Sequence, residues 1–386
     1  MLLAACGLGA VALAAVAALL VLGLTRTGAE DEVVVPSSTA AASTDRSRER
    51  ARRTAARRST ALRARGGRQF ALRASGGRLF ARTSFWNKRL SATTALDLNS
   101  NALVQTLVAE VQRERTASIG PWIGAGSGST PLYRVGPMQP RVRVRLERRD
   151  LRGGKALERA FASVPIPSDA KPAGGPDKHM TVWQPSTDTL WEFFGARRST
   201  DGWQARWGGA IRRVSKSRGY YTAAAWPGAT RNWGATASSL PVIGGTMLLD
   251  ELKTGRFDHA LAINLPAPRA GVFAWPAQRT DGTGPPTALP EGARLRLDPA
   301  LNLADLNLPR LTRMIAAAAQ RYGLVVRDQT HHAISLFGED PSQRTRNPYR
   351  RYFLGRTPGE LLANFPWDRL QVLEMQLCTR APCEAS

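Results

Sequence analysis

The stretch PDKHMTVWQPSTDTLWEFF, Pro176 to Phe194, brings a histidine, carboxylates and two tryptophans into one short span. With Pro185-Ser186-Thr187-Asp188 as its turn, it reads as an antiparallel hairpin. That turn sets Trp183 opposite Leu190, Val182 opposite Trp191, Thr181 opposite Glu192 and Met180 opposite Phe193. Alternation then gives an apolar face of Met180, Val182, Trp191 and Phe193. The second face carries His179, Thr181, Trp183 and Glu192, with Asp177 two residues before His179 on the same side. If that second face is open, Asp177 and Glu192 form the acid/base pair of a glycosidase, and His179 the proton-abstracting base of a polysaccharide lyase. A solvated face with an incidental histidine and glutamate is the plainer reading of the same residues.

Ten tryptophans are many beside six tyrosines. Trp203 and Trp207 in DGWQARWGG, and Trp233 in RNWGATASSLPVIGG, stand beside glycine-rich turns of the kind that expose ligand-binding loops. With Trp183 they are candidate platforms for stacking a sugar ring, against a packing role for each taken singly. His259 alternates with Leu261 and Ile263 and reads as a buried, hydrogen-bonded histidine, with Asp258 structural beside it. His331 and His332 point apart if they lie in a strand, so they cannot chelate as a unit, and no CxxC or nearby histidine completes a ligand set around Cys378 and Cys383. No metal and no cofactor is expected. A G-x-S-x-G nucleophile motif and a phosphate-binding glycine loop are both absent from the sequence.

These residues need a scaffold. Strand-like runs RVRVRLE, HMTVW, LWEFF, HALAIN and AGVFAW follow one another between Gly, Pro and Asp turns, with no regular βαβ alternation. An amphipathic helix with Leu103, Leu107, Val108 and Val111 precedes them. A short helix is expected around Leu248 to Thr254, and a stronger one over NLPRLTRMIAAAAQRYG, closed by Gly323. The expected fold is mainly β: an antiparallel β-sandwich or jelly roll with a few peripheral helices, over residues 84–349. Residues 350–386 read as a C-terminal extension in which Cys378 and Cys383 are close enough to pair in an oxidising compartment.

Ahead of the domain, residues 1–24 carry no charged side chain and are long enough to span a bilayer as a transmembrane anchor or export signal. Residues 25–83 carry hardly any large aliphatics and read as a disordered linker. Within it, ALRARGGRQF and ALRASGGRLF nearly repeat. Between Asp45 and Arg89, fourteen arginines and one lysine face only Asp45 and Glu49, a local +13 out of a formal +24. The charge is therefore the signature of one segment rather than of the fold, and it does not by itself indicate nucleic acid as a partner.

The order SFWN, PDKHMTVWQPSTDTLWEFF, GATASSLPVIGG, DELKTGRFDHALA, PEGARLRLDP and AAQRYGLVVRDQ resembles a family of secreted, mostly actinobacterial, β-rich proteins, over roughly Ser84 to Tyr349. The family's turn after the HMTVW-like strand is Asp-Pro-x-Thr-Gly, where this chain has Gln184-Pro185-Ser186-Thr187-Asp188. The resemblance implies export and a β-rich domain, and carries no activity with it. Together these readings describe an extracytoplasmic, membrane-anchored or secreted carbohydrate-active protein, as a glycoside hydrolase or polysaccharide lyase. Its partner would be a cell-wall or environmental polysaccharide; the rival reading is a non-catalytic protein that binds the envelope polymer.

Overall fold

The computed structural model describes residues 78–126 and 128–384. The expected membrane segment at 1–24, and the linker and its repeat up to residue 77, lie outside the described residues. Among the described residues no helix is long and apolar enough to cross a membrane.

The chain contributes in order β1 (Trp122–Gly124), β2 (Leu132–Arg134), β3 (Val144–Leu146), β4 (Met180–Gln184), β5 (Thr189–Phe194), β6 (Arg197–Ser199), β7 (Gly202–Ala205) and β8 (Trp207–Arg212). There follow β9 (Leu261–Leu265), β10 (Phe273–Ala274), β11 (Arg294–Leu297), β12 (Leu324–Gln329), β13 (Ser335–Phe337), β14 (Leu370–Val372) and β15 (Leu377–Cys378). They assemble into a six-stranded sheet ordered β1-β13-β9-β12-β11-β14, a four-stranded sheet β2-β4-β5-β8, a three-stranded sheet β3-β7-β6, and the pair β10-β15. The fold is β-rich, as expected, but the sheets are mixed rather than antiparallel. β1 runs parallel to β13, β12 to β9, β2 to β4, and β3 to β7.

Parallel neighbours explain why β9 and β12 read as unbroken apolar runs: both of their faces are covered. Ala260, Ala262 and Val325 belong to a core shared with the hairpin residues Met180, Val182, Trp191 and Phe193. Their alternates Leu261, Ile263, Leu324 and Val326 belong to a second core on the other side. That second core takes Leu103, Leu107 and Val111 of α1 (Ser100–Thr116). A short α2 (Gly154–Ala160), not foreseen behind its glycine pair, packs on the first core through Leu157 and Ala160. After α3 (Glu251–Thr254), the helix α4 (Arg310–Arg321) turns Leu311, Ile315, Ala318 and Ala319 toward the second core. Gly323 ends that helix at φ +91°, and a Cβ there would meet the Leu295 carbonyl at 2.5 Å.

The domain exceeds the expected limits at both ends. Leu79 and Phe80 are buried, and the Asn87 amide donates to the carbonyls of Leu79, Phe80 and Ala81, so folded chain begins before Ser84. Residues after 349 are no appendage: β14 pairs with β11, and Tyr352, Leu361, Leu362, Phe365, Trp367 and Val372 complete the second core. Burying a large apolar side chain contributes roughly 1.5–3 kcal/mol, against a total stability of about 5–15 kcal/mol. A chain ending at Tyr349 is therefore expected to give no cooperative melt by circular dichroism. A native-like melt would return the boundary to 349.

Candidate functional site

The hairpin forms in the expected register, Met180 to Phe193, Thr181 to Glu192, Val182 to Trp191 and Trp183 to Leu190. Its turn is a helical one over Pro185–Thr187, followed by Asp188 at φ +49°. The left-handed position suits glycine, but here the Asp188 carboxylate fixes it by accepting from the Ser215 amide at 3.0 Å and hydroxyl at 2.7 Å.

The face expected to present is closed. Glu192 is 0% exposed and its two oxygens accept from the amides of Ala235 and Val242, each at 2.9 Å. β8 places Gly209 opposite Glu192, and a Cβ on Gly209 would meet the Tyr221 ring at 2.3 Å, so the missing side chain makes room for that ring over the carboxylate. Burial pushes the Glu192 carboxyl up to about 7, against the pull of both amides and Tyr221. Glu192 is thus a clamp on the loop between Gly234 and Gly245, and it makes no pair with Asp177, an exposed residue whose carbonyl accepts from the Gly195 amide. The four tryptophans are corrected likewise. Trp183, Trp203, Trp207 and Trp233 are buried in the first core, with the indole N–H of Trp207 on the Asn232 carbonyl and that of Trp233 on Gly153. None offers a ring face to a sugar. His259 behaves as expected: it is buried, with Nδ1 donating to the Ala260 carbonyl and Nε2 to Glu251 at 3.0 Å. Burial lowers its pKa, but Glu251 outweighs this and leaves it raised. Cys378 and Cys383 form a disulfide.

A different constellation gathers at the far end of β12. One carboxylate oxygen each from Asp281, Glu291 and Asp328 lies within 4.8 Å of the others. Asp328 follows a register shift between Val326 and Asp328, which re-aims the end of the strand. Its Oδ1 accepts from the Ala237 amide at 2.9 Å. Glu291 is held from behind: its carbonyl accepts from Ala274, and Gly292 donates to Val326 at 2.7 Å. Gly292 has φ +87°, and a Cβ there would fall 1.8 Å from the Ala274 carbonyl. Glu291 is 0% exposed, and neither of its carboxylate oxygens has a well-formed hydrogen bond, although Thr280 and the Asp281 amide flank it. Asp281 is exposed and Asp328 half-buried, so the trio runs from the core to the surface.

Basic groups surround it and share one loop. Arg279, whose charge faces all three acids, donates to the Ser239 hydroxyl and the Thr236 carbonyl. Arg327, on the other face of β12, donates to the carbonyls of Val242 and Gly244. His179 joins through Nε2, which donates to the Ala235 carbonyl at 2.9 Å, so Nδ1 keeps its lone pair. Burial holds His179 below its usual pKa despite Asp177 nearby, and the imidazole is neutral at pH 7.

Three carboxylates this close cannot all ionise. Burial, then the Asp281 charge, pushes Asp328 up to about 7, against Arg327 and the Ala237 amide. Burial with Asp328 and Asp281 drives Glu291 well above the carboxylate range. Asp281 is raised by burial, with Arg279 and His331 opposing. The oxygens have a spacing a divalent cation could bridge, but two guanidiniums already supply counter-charge, and protons shared among the acids complete the balance. The chemistry available is proton transfer at neutral pH.

Reading along the chain missed this trio because its members come from three separate segments. The one local signal is the Arg-Asp pair that ends the apolar run YGLVVRDQ, echoed by Arg279-Thr280-Asp281. No family model matches the chain, and no curated protein or solved structure is similar to it.

Proposed function

We propose that the protein is an extracytoplasmic glycoside hydrolase acting on a polysaccharide, with Asp281 and Asp328 as its working carboxylates. The observation that carries this reading is the convergence of an exposed and a half-buried aspartate, within 4.8 Å, on a buried glutamate that has no well-formed hydrogen bond. A gap of about 5–5.5 Å between carboxyl groups suits a retaining enzyme, because it leaves no room for water between carboxylate and sugar. The export-like first 24 residues and the Cys378–Cys383 disulfide support an oxidising, extracytoplasmic setting.

In the first step Asp281 attacks the anomeric carbon and forms an ester to it, while the bond to the leaving oxygen breaks and takes the proton of Asp328. In the second, Asp328 takes a proton from water, whose oxygen replaces Asp281 at the same carbon. Glu291 stays neutral below them, and burial with the neighbouring Asp281 charge keeps the proton on Asp328. Arg279 offsets the charge on Asp281. The sugar is held by groups other than the four buried tryptophans.

Proton NMR during hydrolysis of an oligosaccharide is expected to show the first-formed anomer with the configuration of the substrate. An inverted first product overturns the roles given to Asp281 and Asp328. Turnover is also expected to survive a chelator; loss restored by calcium would make the trio a cation site instead.

A further inference from the structure

A concave surface lies at the opposite end of β12 from the carboxylates. Tyr322 lines it, at the helix end just before β12 begins, whereas Asp328 lies near the other end of that strand. The groove encloses about 890 Å³ and is walled by Arg78, Arg82, Lys88, Arg89, Arg256 and Arg321, with Asp258 as its one acid. That acid is already spent: Asp258 pairs with Arg256 at 2.9 Å and with Arg78 at 4.0 Å. Arg89 is held in place by its Nε on the Tyr322 hydroxyl at 3.2 Å and by its guanidinium over the Tyr322 ring. Arg82, Lys88 and Arg321 are exposed and have no acidic partner among the described residues.

We propose that this groove binds a linear polyol-phosphate polymer of the cell envelope, seating successive phosphates on Arg82, Lys88, Arg89 and Arg321. Guanidinium forks and an ammonium suit phosphate oxygens, and among the described residues the groove's excess of positive charge has no acidic counterpart beyond Asp258. The occupant carries charge rather than rings. The one aromatic lining the groove, Tyr322, is buried beneath Arg89, so the groove offers no open ring face for stacking a sugar or a nucleobase. A concave wall fits a chain better than a flat lipid surface. The groove also explains the basic run of the sequence: Arg78, Arg82, Lys88 and Arg89 are its last members, so the +13 segment delivers its end into a formed site.

The test uses the full chain and a triple variant, Arg82→Glu, Lys88→Glu and Arg321→Glu, whose exposed side chains make no ion pair that folding needs. Binding to polyglycerol phosphate, followed by fluorescence anisotropy at two salt concentrations, is expected to weaken at least tenfold in the variant. Its salt dependence should become shallower, with melting unchanged. Unchanged affinity would place the binding in the preceding arginine run and overturn the groove. Tighter binding of the parent chain to a polyuronate, to DNA or to anionic vesicles than to polyglycerol phosphate would overturn the choice of polymer. Hydrolysis of a soluble polysaccharide should be equal in both proteins, so failure of the groove and failure of the carboxylate site are read separately.

Discussion

Asp328→Asn is expected to lower the rate of polysaccharide cleavage by about 10³-fold, within the range for removing a general acid. The asparagine keeps the shape and still accepts from the Ala237 amide, and its NH₂ faces acids able to accept from it, so the melting temperature should move little. In the parent enzyme the rate is expected to fall as pH rises through about 7, because Asp328 must carry a proton. It should fall again on the acid side, as Asp281 becomes protonated. The profile is set by burial, Asp281 and Asp177, which raise Asp328, and by Arg327 with the Ala237 amide, which lower it; Arg279 and His331 face Asp281. In Asp328→Asn the alkaline limb should vanish. An aryl glycoside whose phenol leaves without a proton should lose far less rate than the polysaccharide. Equal losses on both substrates would remove Asp328 from the role of acid.

Glu192→Gln should change stability and leave the chemistry alone. Both carboxylate oxygens accept buried amides, so the glutamine NH₂ faces an N–H and orphans it, at a cost of about 1–3 kcal/mol. The cost depends on pH. The folded carboxyl titrates at about 7, above the ordinary glutamate value of 4.5, so the folded state binds more protons between these values. Stability from this group is complete below 4.5 and is lost as pH rises through 7, an effect of order 3 kcal/mol. The variant lacks that slope, so the gap in melting temperature should be widest near pH 5 and close by pH 8. The kcat of the folded fraction should be unchanged. An unchanged melt with lost kcat would restore Glu192 as a catalytic carboxylate.

These outcomes mark what could be read along the chain. The hairpin was legible down to its register because Pro185 and Asp188 delimit its turn and the period of two sorts its faces. Which face would be covered was not, since alternation says nothing about a loop arriving from Gly234 to Gly245. Glu192 was misassigned for that reason, and the four tryptophans because burial in the first core depends on packing between distant segments. The antiparallel expectation failed where β1, β2 and β3 join strands distant in sequence, pairings that no local pattern encodes. Helix α4 and its Gly323 stop were visible because both signals are local. The carboxylate trio required folding to be seen at all, and the partner of His179, the Ala235 carbonyl, comes from the same distant loop.

The loop that closes the hairpin face is gripped from two directions, by Glu192 of β5 in the four-stranded sheet and by Arg327 and Asp328 of β12 in the six-stranded sheet. Neither sheet can loosen without releasing a buried charge from its backbone partners. The two cores are in this way wired into one cooperative unit, and heat should take both in a single transition, with the carboxylate centre dispersing at that temperature and not before.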